Sequence, residues 1–309
     1  LTKNVLVIGG AGYVGSRLRL ELAKSYTVDS VDCCWYNHDK SSRRIDYAKL
    51  TSSELGKYDV IVLLAGHSSV ASCQGPIMDP WLNNVTNFTE LLKKLTTQTL
   101  IYASSASVYG NSLPGELHKE GSRKPFIPVN NYDITKYALD LEAIKAIDEG
   151  KEVIGLRFGT VNGWSPYIRT DVMINAMYDS AQTTGNVNVS NKKINRALLG
   201  IDDLCCAVET VIKTPKPGIY NLASFNTTVE DIAAQLCENI GAKFVDRGNT
   251  QNAYDFGLDC GLFERKYKFT FKDTPDTIVK GLQKHYKSAK LGRRDNFMIY
   301  QWEKEYGKR

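Results

Sequence analysis

Tyr132 and Lys136 stand four residues apart at the start of an amphipathic stretch, Tyr132 to Glu149, that ends at Gly150. On a helix, residues at i and i+4 share one face, about 5–6 Å apart between Cβ atoms. A free phenol ionises near pH ~10, so a tyrosine acting as a base near neutrality needs its pKa lowered by about three units, roughly 4 kcal/mol. A nearby ammonium, or another positive charge close by, would stabilise the phenolate in that way. The spacing alone also fits a surface pair, because the chain has 17 tyrosines and many lysines. Upstream, Ser104 and Ser105 follow the strand-like run Thr99-Leu100-Ile101-Tyr102-Ala103. Ligands of parallel sheets meet the carboxyl ends of the strands, so these hydroxyls are placed to share a substrate proton. An ST-turn or helix cap is the plainer role for them.

A second constellation opens the chain. The apolar run Val5-Leu6-Val7-Ile8 leads into Gly9-Gly10-Ala11-Gly12-Tyr13-Val14-Gly15 and then into the helical pattern Arg17 to Leu22. Strand, glycine turn and helix in that order begin a dinucleotide-binding βαβ unit. Glycines let the backbone turn sharply and approach a pyrophosphate, which then sits on the helix N-terminus. Two registers fit, Gly10-x-Gly12-x-x-Gly15 and Gly9-x-x-Gly12-x-x-Gly15, and a tight turn alone would use such glycines too. Asp32, twenty positions beyond Gly12 at the end of a second β-like run, favours the binding unit. An acidic residue there takes both ribose hydroxyls of NAD and repels the 2′-phosphate of NADP, so NAD is the expected cofactor.

The elements that must hold these residues alternate through the first half. After the run ending at Asp32, Ile45-Asp46 is expected as a short third strand, Val60–Ala65 as a fourth, Thr99–Ala103 as a fifth and Glu152–Phe158 as a sixth. Helical patterns cover Trp81 to Leu95 and Tyr132 to Glu149, with a long loop from Gly110 to Asn131. Continuous apolar strands separated by helices imply a parallel sheet covered on both faces, an α/β fold. Beyond Gly163 the elements shorten, with loops expected at Asn186–Asn195 and Gly248–Phe256. The expected division is 1–163 for the cofactor and 164–309 mainly for the substrate, interleaved, with the strand Gly218–Leu222 returning to the main sheet.

At 309 residues the chain can bury a substantial core. Its net charge of +5 comes from scattered lysines and arginines, which does not suggest nucleic-acid binding. The locally basic tail Lys290, Arg293, Arg294, Lys304, Lys308 and Arg309 is expected as a solvated helix face. Seven cysteines without a CxxC pair, and four histidines without ligand spacing, argue against both a metal site and a disulfide framework. No run reaches the ~18 apolar residues of a membrane span. No leader-like segment precedes the first strand, and Leu1 in place of methionine hints at a trimmed or unusual start. A cytoplasmic, soluble protein is expected.

Taken in order, Gly9–Gly15, Asp32, Asp46, Asn84-Val85, Ser104-Ser105-Ala106-Ser107-Val108-Tyr109-Gly110, Tyr132-Asp133-Ile134-Thr135-Lys136 and Arg157-Phe158-Gly159-Thr160-Val161 resemble the extended short-chain dehydrogenase/reductase family, in its nucleotide-sugar epimerase, dehydratase and reductase branch. The resemblance implies a Rossmann-type doubly wound sheet with a smaller substrate lobe. It makes Tyr132 the base, Lys136 its tuner and a ligand of the nicotinamide ribose, and Ser105 the hydroxyl partner. Gly9, Gly12, Tyr13, Val14, Gly15, Leu64, Ala65, Gly66, Asn84, Ser104 and Phe158 would line the cofactor, Asp32 would hold the adenosine ribose and Asp46 the adenine. Thr160 and Arg196 would meet the substrate, a nucleotide-diphosphate sugar, for which a guanidinium fork is suited. Relatives in this family commonly dimerise through helices matching Trp81–Leu95 and Tyr132–Glu149, so a homodimer is expected.

Dehydratases similar to this chain carry an Asp-Glu pair after the serine; here Ala106-Ser107 stand there and cannot serve as general acid and base. The resemblance therefore implies an epimerase: Tyr132 removes a hydroxyl proton while NAD takes hydride, the ketone turns over, and hydride returns to its other face. Thr160 stands where many relatives have Asn, and the loop Trp164–Asp171 resembles a subgroup of assorted substrates. An NAD(P)H-dependent reductase of a 4-keto sugar nucleotide would use the same residues. A dinucleotide-binding sensor without turnover is the reading from another class, although such relatives usually lack the Tyr/Lys pair.

Overall fold

A computed structural model describes residues 2–36, 39–74, 77–113, 115–122, 128–250 and 253–291. Seven parallel strands form the central sheet: β1 (Asn4–Ile8), β2 (Thr27–Asp32), β3 (Arg43–Arg44), β4 (Val60–Leu63), β5 (Thr99–Ser105), β6 (Val153–Phe158) and β7 (Gly218–Leu222), in the order β7-β6-β5-β4-β1-β2-β3. Side chains alternate across a strand, so β1 sends Val5 and Val7 into one core and Leu6 and Ile8 into another. The first core packs against helix α1 (Tyr13–Leu22) and the helix Ile201–Lys213 through Leu18, Leu204, Val208 and Val211. The second packs Phe88, Leu91, Leu139 and Ala143, from the helices Asn87–Lys94 and Asn131–Asp148, against Ile61, Leu100 and Tyr102. Each such large side chain, once out of water, contributes about 1.5–3 kcal/mol, which is why runs like Val60-Ile61-Val62-Leu63 sit at the centre.

Strand order reverses between β1 and β4, and the crevice at a reversal lies outside the carboxyl ends of the strands. The strand Gly218–Leu222 lies in this sheet, pairing parallel with β6. The remaining chain builds smaller sheets, among them Thr160–Asn162 with Asn195–Gly200 and Phe225–Thr228, around a third core of Ile174, Met177, Leu198, Ile232, Leu236 and Val279. Tyr13 of α1 belongs to that third core while Leu18 and Leu22 belong to the first, so α1 joins the two.

Local readings change at several boundaries. The third strand is Arg43–Arg44, not Ile45-Asp46: the Asp46 carboxylate caps the following turn by accepting the Ala48 N–H at 2.9 Å, competing with strand pairing. The stretch 186–195, expected as a loop, holds a strand, Asn186–Val189, whose Val187 and Val189 are buried and which pairs with Lys243–Asp246. The loop 110–131 contributes a short strand, Leu117–His118, paired with Gly257–Leu258. The helical stretch expected from Trp81 starts at Met78 and passes through a π-turn, Leu82–Thr86, before Asn87–Lys94. Among the described residues no helix is long and apolar enough to cross a membrane. Of the basic tail, Arg293, Arg294, Lys304, Lys308 and Arg309 lie outside the described residues.

Candidate active site and dinucleotide cradle

The glycine turn is built around two close approaches. Gly9 has φ +93°, and a Cβ there would lie 2.5 Å from the Ala65 nitrogen; a Cβ on Gly15 would lie 2.1 Å from the Gly9 carbonyl oxygen. The turn thus packs against the loop after β4 and lets α1 start directly above it. Gly12 is the N-cap of α1, so the N–H groups of Tyr13, Val14 and Gly15 begin the helix without preceding carbonyls to accept them. The Tyr13 side chain points elsewhere: its hydroxyl donates to the Gly163 carbonyl at 2.8 Å and accepts from Asn175 at 3.2 Å, tying the turn to the second lobe.

Asp32 ends β2 with one carboxylate oxygen accepting the Ala11 N–H (2.9 Å) and the other the Cys34 N–H (2.7 Å). Each oxygen retains a lone pair, as hydroxyl recognition requires. Burial pushes this carboxyl above the ordinary range, opposed by those two N–H groups and by Arg19. Asp46, after β3, keeps its capping bond to Ala48. Leu64 and Ala65 both donate to the Ile8 carbonyl, and Gly66 adopts φ +146° with a would-be Cβ 2.6 Å from Asn84 Oδ1. Asn84 is fully engaged within the protein. It accepts from the His67 N–H and gives its two amide hydrogens to the His67 carbonyl and the Thr135 hydroxyl. Its side chain therefore clamps the loop after β4 to the helix bearing Tyr132, and has no donor left for a ligand. His67 packs edge-on against Trp35, ring centres 5.4 Å apart.

The helix Asn131–Asp148 is capped by Asn130, whose side chain accepts the Asp133 N–H. It carries Tyr132 and Lys136 to the ends of β5 and β6, where Ser105 pairs in register with Phe158. Lys136 is buried and donates to the Ala103 carbonyl at 2.8 Å, with its Nζ 5.9 Å from the centre of the Tyr132 ring. Desolvation pulls its pKa down to about 8. Burial pushes the Tyr132 phenol up to about 12, against lowering by Ser105 and by the Arg169 guanidinium. The protein's own groups therefore keep the phenol above its ordinary pKa, before any charge a bound cofactor would add. Ser104 is buried with a hydroxyl that has no hydrogen-bond partner.

Thr160 and Arg196 meet: Arg196 Nη2 donates to the Thr160 hydroxyl at 2.9 Å, while Arg196 Nε is buried without a partner. Three residues near the site carried no signal in the Tyr-Lys and glycine patterns. Arg169 acts on both Tyr13 and Tyr132; Asp133 is fully buried one residue past Tyr132; Tyr254 reaches in from the second lobe to donate to Asp133 at 2.8 Å. Asp133 was readable only as a position inside the Tyr132–Lys136 motif, and Tyr254 only through long-range folding.

A dinucleotide fits this set of residues. The glycine turn packs tightly against the loop after β4 and the start of α1, the helix presents uncapped N–H groups, Asp32 keeps lone pairs, and Ser104 holds a hydroxyl without a hydrogen-bond partner.

Comparison with known proteins agrees with the geometry. A family model described as NAD dependent epimerase/dehydratase family matches residues 5–223. The chain is 26% identical over 260 residues to an ADP-L-glycero-D-manno-heptose-6-epimerase of Brachyspira hyodysenteriae, covering 76% of this chain and 80% of that one. It is 31% identical over 176 residues to a UDP-glucose 4-epimerase of Lactobacillus helveticus, covering 52% of each. Its fold matches that of TunA, an NAD dependent NDP-hexosamine 5,6-dehydratase, with TM-score 0.83 at 21% identity over 94% of this chain and 99% of that chain. It also matches a UDP-glucuronic acid 4-epimerase from Bacillus cereus, solved with UDP-glucuronic acid and NAD, with TM-score 0.79 at 18% identity over 92% of this chain and 99% of that one.

Proposed function

The chain belongs to the NAD dependent epimerase/dehydratase family, and within it we propose that the protein is an NAD-dependent epimerase of a nucleotide-diphosphate sugar. The observation that carries this reading is the segment after Ser105. Ala106 is buried, Ser107 is tied to Ser105 at 2.9 Å, and the carboxylate behind Ser107, Asp133, has no exposed surface. No carboxyl group in that segment can reach a sugar carbon to remove water, whereas inversion needs only a base at a hydroxyl.

NAD, when bound, supplies the acceptor and the donor of hydride. The chain's own residues do the rest. Tyr132 takes the proton of the sugar hydroxyl and returns it; Ser105 holds the phenol oxygen in line; Lys136, fixed by the Ala103 carbonyl, keeps positive charge beside the ring. Gly9, Gly12, Val14 and Gly15 form the pyrophosphate turn, Asp32 and Asp46 face the adenosine half, and Leu64, Ala65, Gly66, Ser104 and Phe158 line the nicotinamide half. Thr160 and Arg196, joined by their hydrogen bond, receive the diphosphate and sugar. On this assignment 1–163 with β7 serve the cofactor, and 164–309 mainly the substrate. Met78, Leu82, Leu141 and Ile144 stand 65%, 46%, 49% and 43% exposed on adjoining helices, which supports a homodimer through that face.

The test is a screen of UDP-, GDP-, CDP- and dTDP-sugars with catalytic NAD, read by NMR and mass spectrometry. The expected result is a mixture of two sugar diastereomers of unchanged mass, with no net consumption of NAD. A product lighter by one water would replace this reading with a dehydratase. Stoichiometric consumption of NADH or NADPH on a keto sugar nucleotide would replace it with a reductase.

A further inference from the structure

Beside Asp32, a second carboxylate is held by an arginine. Arg19 of α1 lies across the glycine turn: its Nε donates to the Gly10 carbonyl at 2.9 Å, and a Cβ on Gly10 would lie 2.9 Å from Arg19 Cδ. Its Nη1 donates to the Ser41 hydroxyl at 2.6 Å, and its Nη2 donates to Asp39 Oδ2. The other Asp39 oxygen accepts the Ser41 N–H at 2.9 Å and the Ser41 hydroxyl at 2.6 Å. The Arg19 and Asp39 side chains are only 15% and 14% exposed, so salt and water screen this pair weakly.

The pair adjoins the carboxylate that meets the adenosine ribose. Asp32 accepts the Ala11 N–H and Arg19 donates to the Gly10 carbonyl, so the two side chains hold consecutive residues of one turn. The Asp32 carboxyl is lowered by Arg19 and raised by Asp39, as expected of neighbours. An arginine near this ribose is the usual means of accommodating the 2′-phosphate of NADP, because a guanidinium fork suits phosphate. Here the arginine is present, with its charge already matched by Asp39.

We infer that Asp39 is a specificity-determining residue for the cofactor: by occupying the Arg19 guanidinium it denies the 2′-phosphate of NADP its cation, and with Asp32 it selects NAD. The inference rests on the proposed placing of the adenosine ribose at Asp32. With both carboxylates ionised, a 2′-phosphate would be the third anionic group around one cation. Without the Asp39 charge, Arg19 stays tethered to Gly10 and Ser41 while its Nη2 loses an acceptor. A largely buried cation left unmatched in this way is costly, and a phosphate dianion would match it. Arg44, in register beside Asp32, and Lys40 are both exposed, so solvent screens their charges far more than that of Arg19.

The experiment equilibrates the purified chain with NAD and NADP in equal excess, removes unbound nucleotide by gel filtration, and reads the two complexes by native mass spectrometry. In the parent, bound NAD should exceed bound NADP at least about tenfold. Asp39→Asn keeps the shape and an oxygen for Ser41, and should raise the NADP-to-NAD ratio about tenfold with total bound nucleotide unchanged, since a like-charge repulsion is removed. Adding Arg19→Met should abolish that gain. Asp39→Ser provides the same comparison should Asp39→Asn misfold. Equal binding of both cofactors by the parent overturns the inference. So does a ratio that the folded Asp39 variants leave unchanged, or a gain that survives Arg19→Met. Asp32→Ala separates the two readings, because it should also raise the ratio. A ratio unmoved by Asp32→Ala fails the placing of the ribose and the inference with it; a ratio moved by Asp32→Ala alone fails only the role of Asp39.

Discussion

The Lys136 ammonium donates to the Ala103 carbonyl at 2.8 Å and stands 5.9 Å from the centre of the Tyr132 ring, so the cation is anchored to β5 rather than to the phenol oxygen. Burial holds the phenol at about 12, so on the proposed assignment of Tyr132 as the base the remaining charge that ionises it is the cofactor's. Tyr132→Phe removes the hydroxyl and leaves the ring. Turnover should fall by about 10²–10⁴-fold, with NAD affinity, measured by calorimetry, within about threefold of the parent. Full turnover by this variant would end its assignment as the base.

Lys136 is charged and desolvated, and its pKa is lowered to about 8. Between that value and the ordinary lysine range the folded chain binds fewer protons than the unfolded one, so stability rises with pH across that window. Below it the buried charge costs stability in full. Lys136→Met should therefore raise the Tm at neutral pH by a few degrees while lowering turnover at least about 10²-fold. Calorimetric scans at pH 7 and pH 10 should show the gain shrinking at the higher pH.

The same helix is held from below by a buried pair. Arg157 Nε lies 2.8 Å from Asp140, Tyr102 donates to the other Asp140 oxygen at 2.9 Å, and Arg157 Nη1 reaches the Tyr109 hydroxyl at 2.7 Å. Asp140→Ala strands the Arg157 charge inside the protein, and should cost about 3–5 kcal/mol in chemical denaturation. A loss under 1 kcal/mol would mean that the guanidinium finds water.

Asp273 lies beside Asp203, accepting the Asp203 N–H at 2.9 Å, and burial followed by the Asp203 and Asp202 charges pushes its pKa to about 6. An acid with a raised folded pKa favours folding while protonated, and that contribution is lost as pH rises through about 6. Asp273→Asn should accordingly stabilise the chain at pH 7–8 by roughly 1–2 kcal/mol and have little effect near pH 4. Equal effects at both pH values would contradict the repulsion.

Leu141 and Ile144 expose apolar surface next to Met78 and Leu82. Placing a charge there by Leu141→Asp should convert a dimer into a monomer in light scattering, with little loss of secondary structure. A wild-type chain that is monomeric at micromolar concentration would remove this prediction's premise.

Much of the site could be read in the residues because its parts are local. A glycine without room for Cβ, an acidic residue at the end of the next strand, and a Tyr and Lys one helical turn apart each belong to a single short segment. Apolar runs of four or five residues likewise marked the strands of a sheet buried on both faces. Short elements escaped where two local preferences competed. Asp46 could extend a strand or cap a turn, and its side chain chose the cap; the alternation Asn186-Val187-Asn188-Val189 needed a partner 57 residues on, first paired at Lys243, to become a strand.

Sequence alone determined the fold class, the dinucleotide turn and the identity of the candidate base, because steric freedom, hydrophobic period and helical spacing act within a few residues. Only tertiary structure decided what surrounds them. It turned Tyr13 and Asn84 into clamps between segments, brought Arg196 to Thr160 and Tyr254 to Asp133, and kept the phenol above its ordinary pKa. The cause is that burial, and the charges of distant segments that burial brings close, set the state of a titratable group, and neither is written in the residues adjoining it.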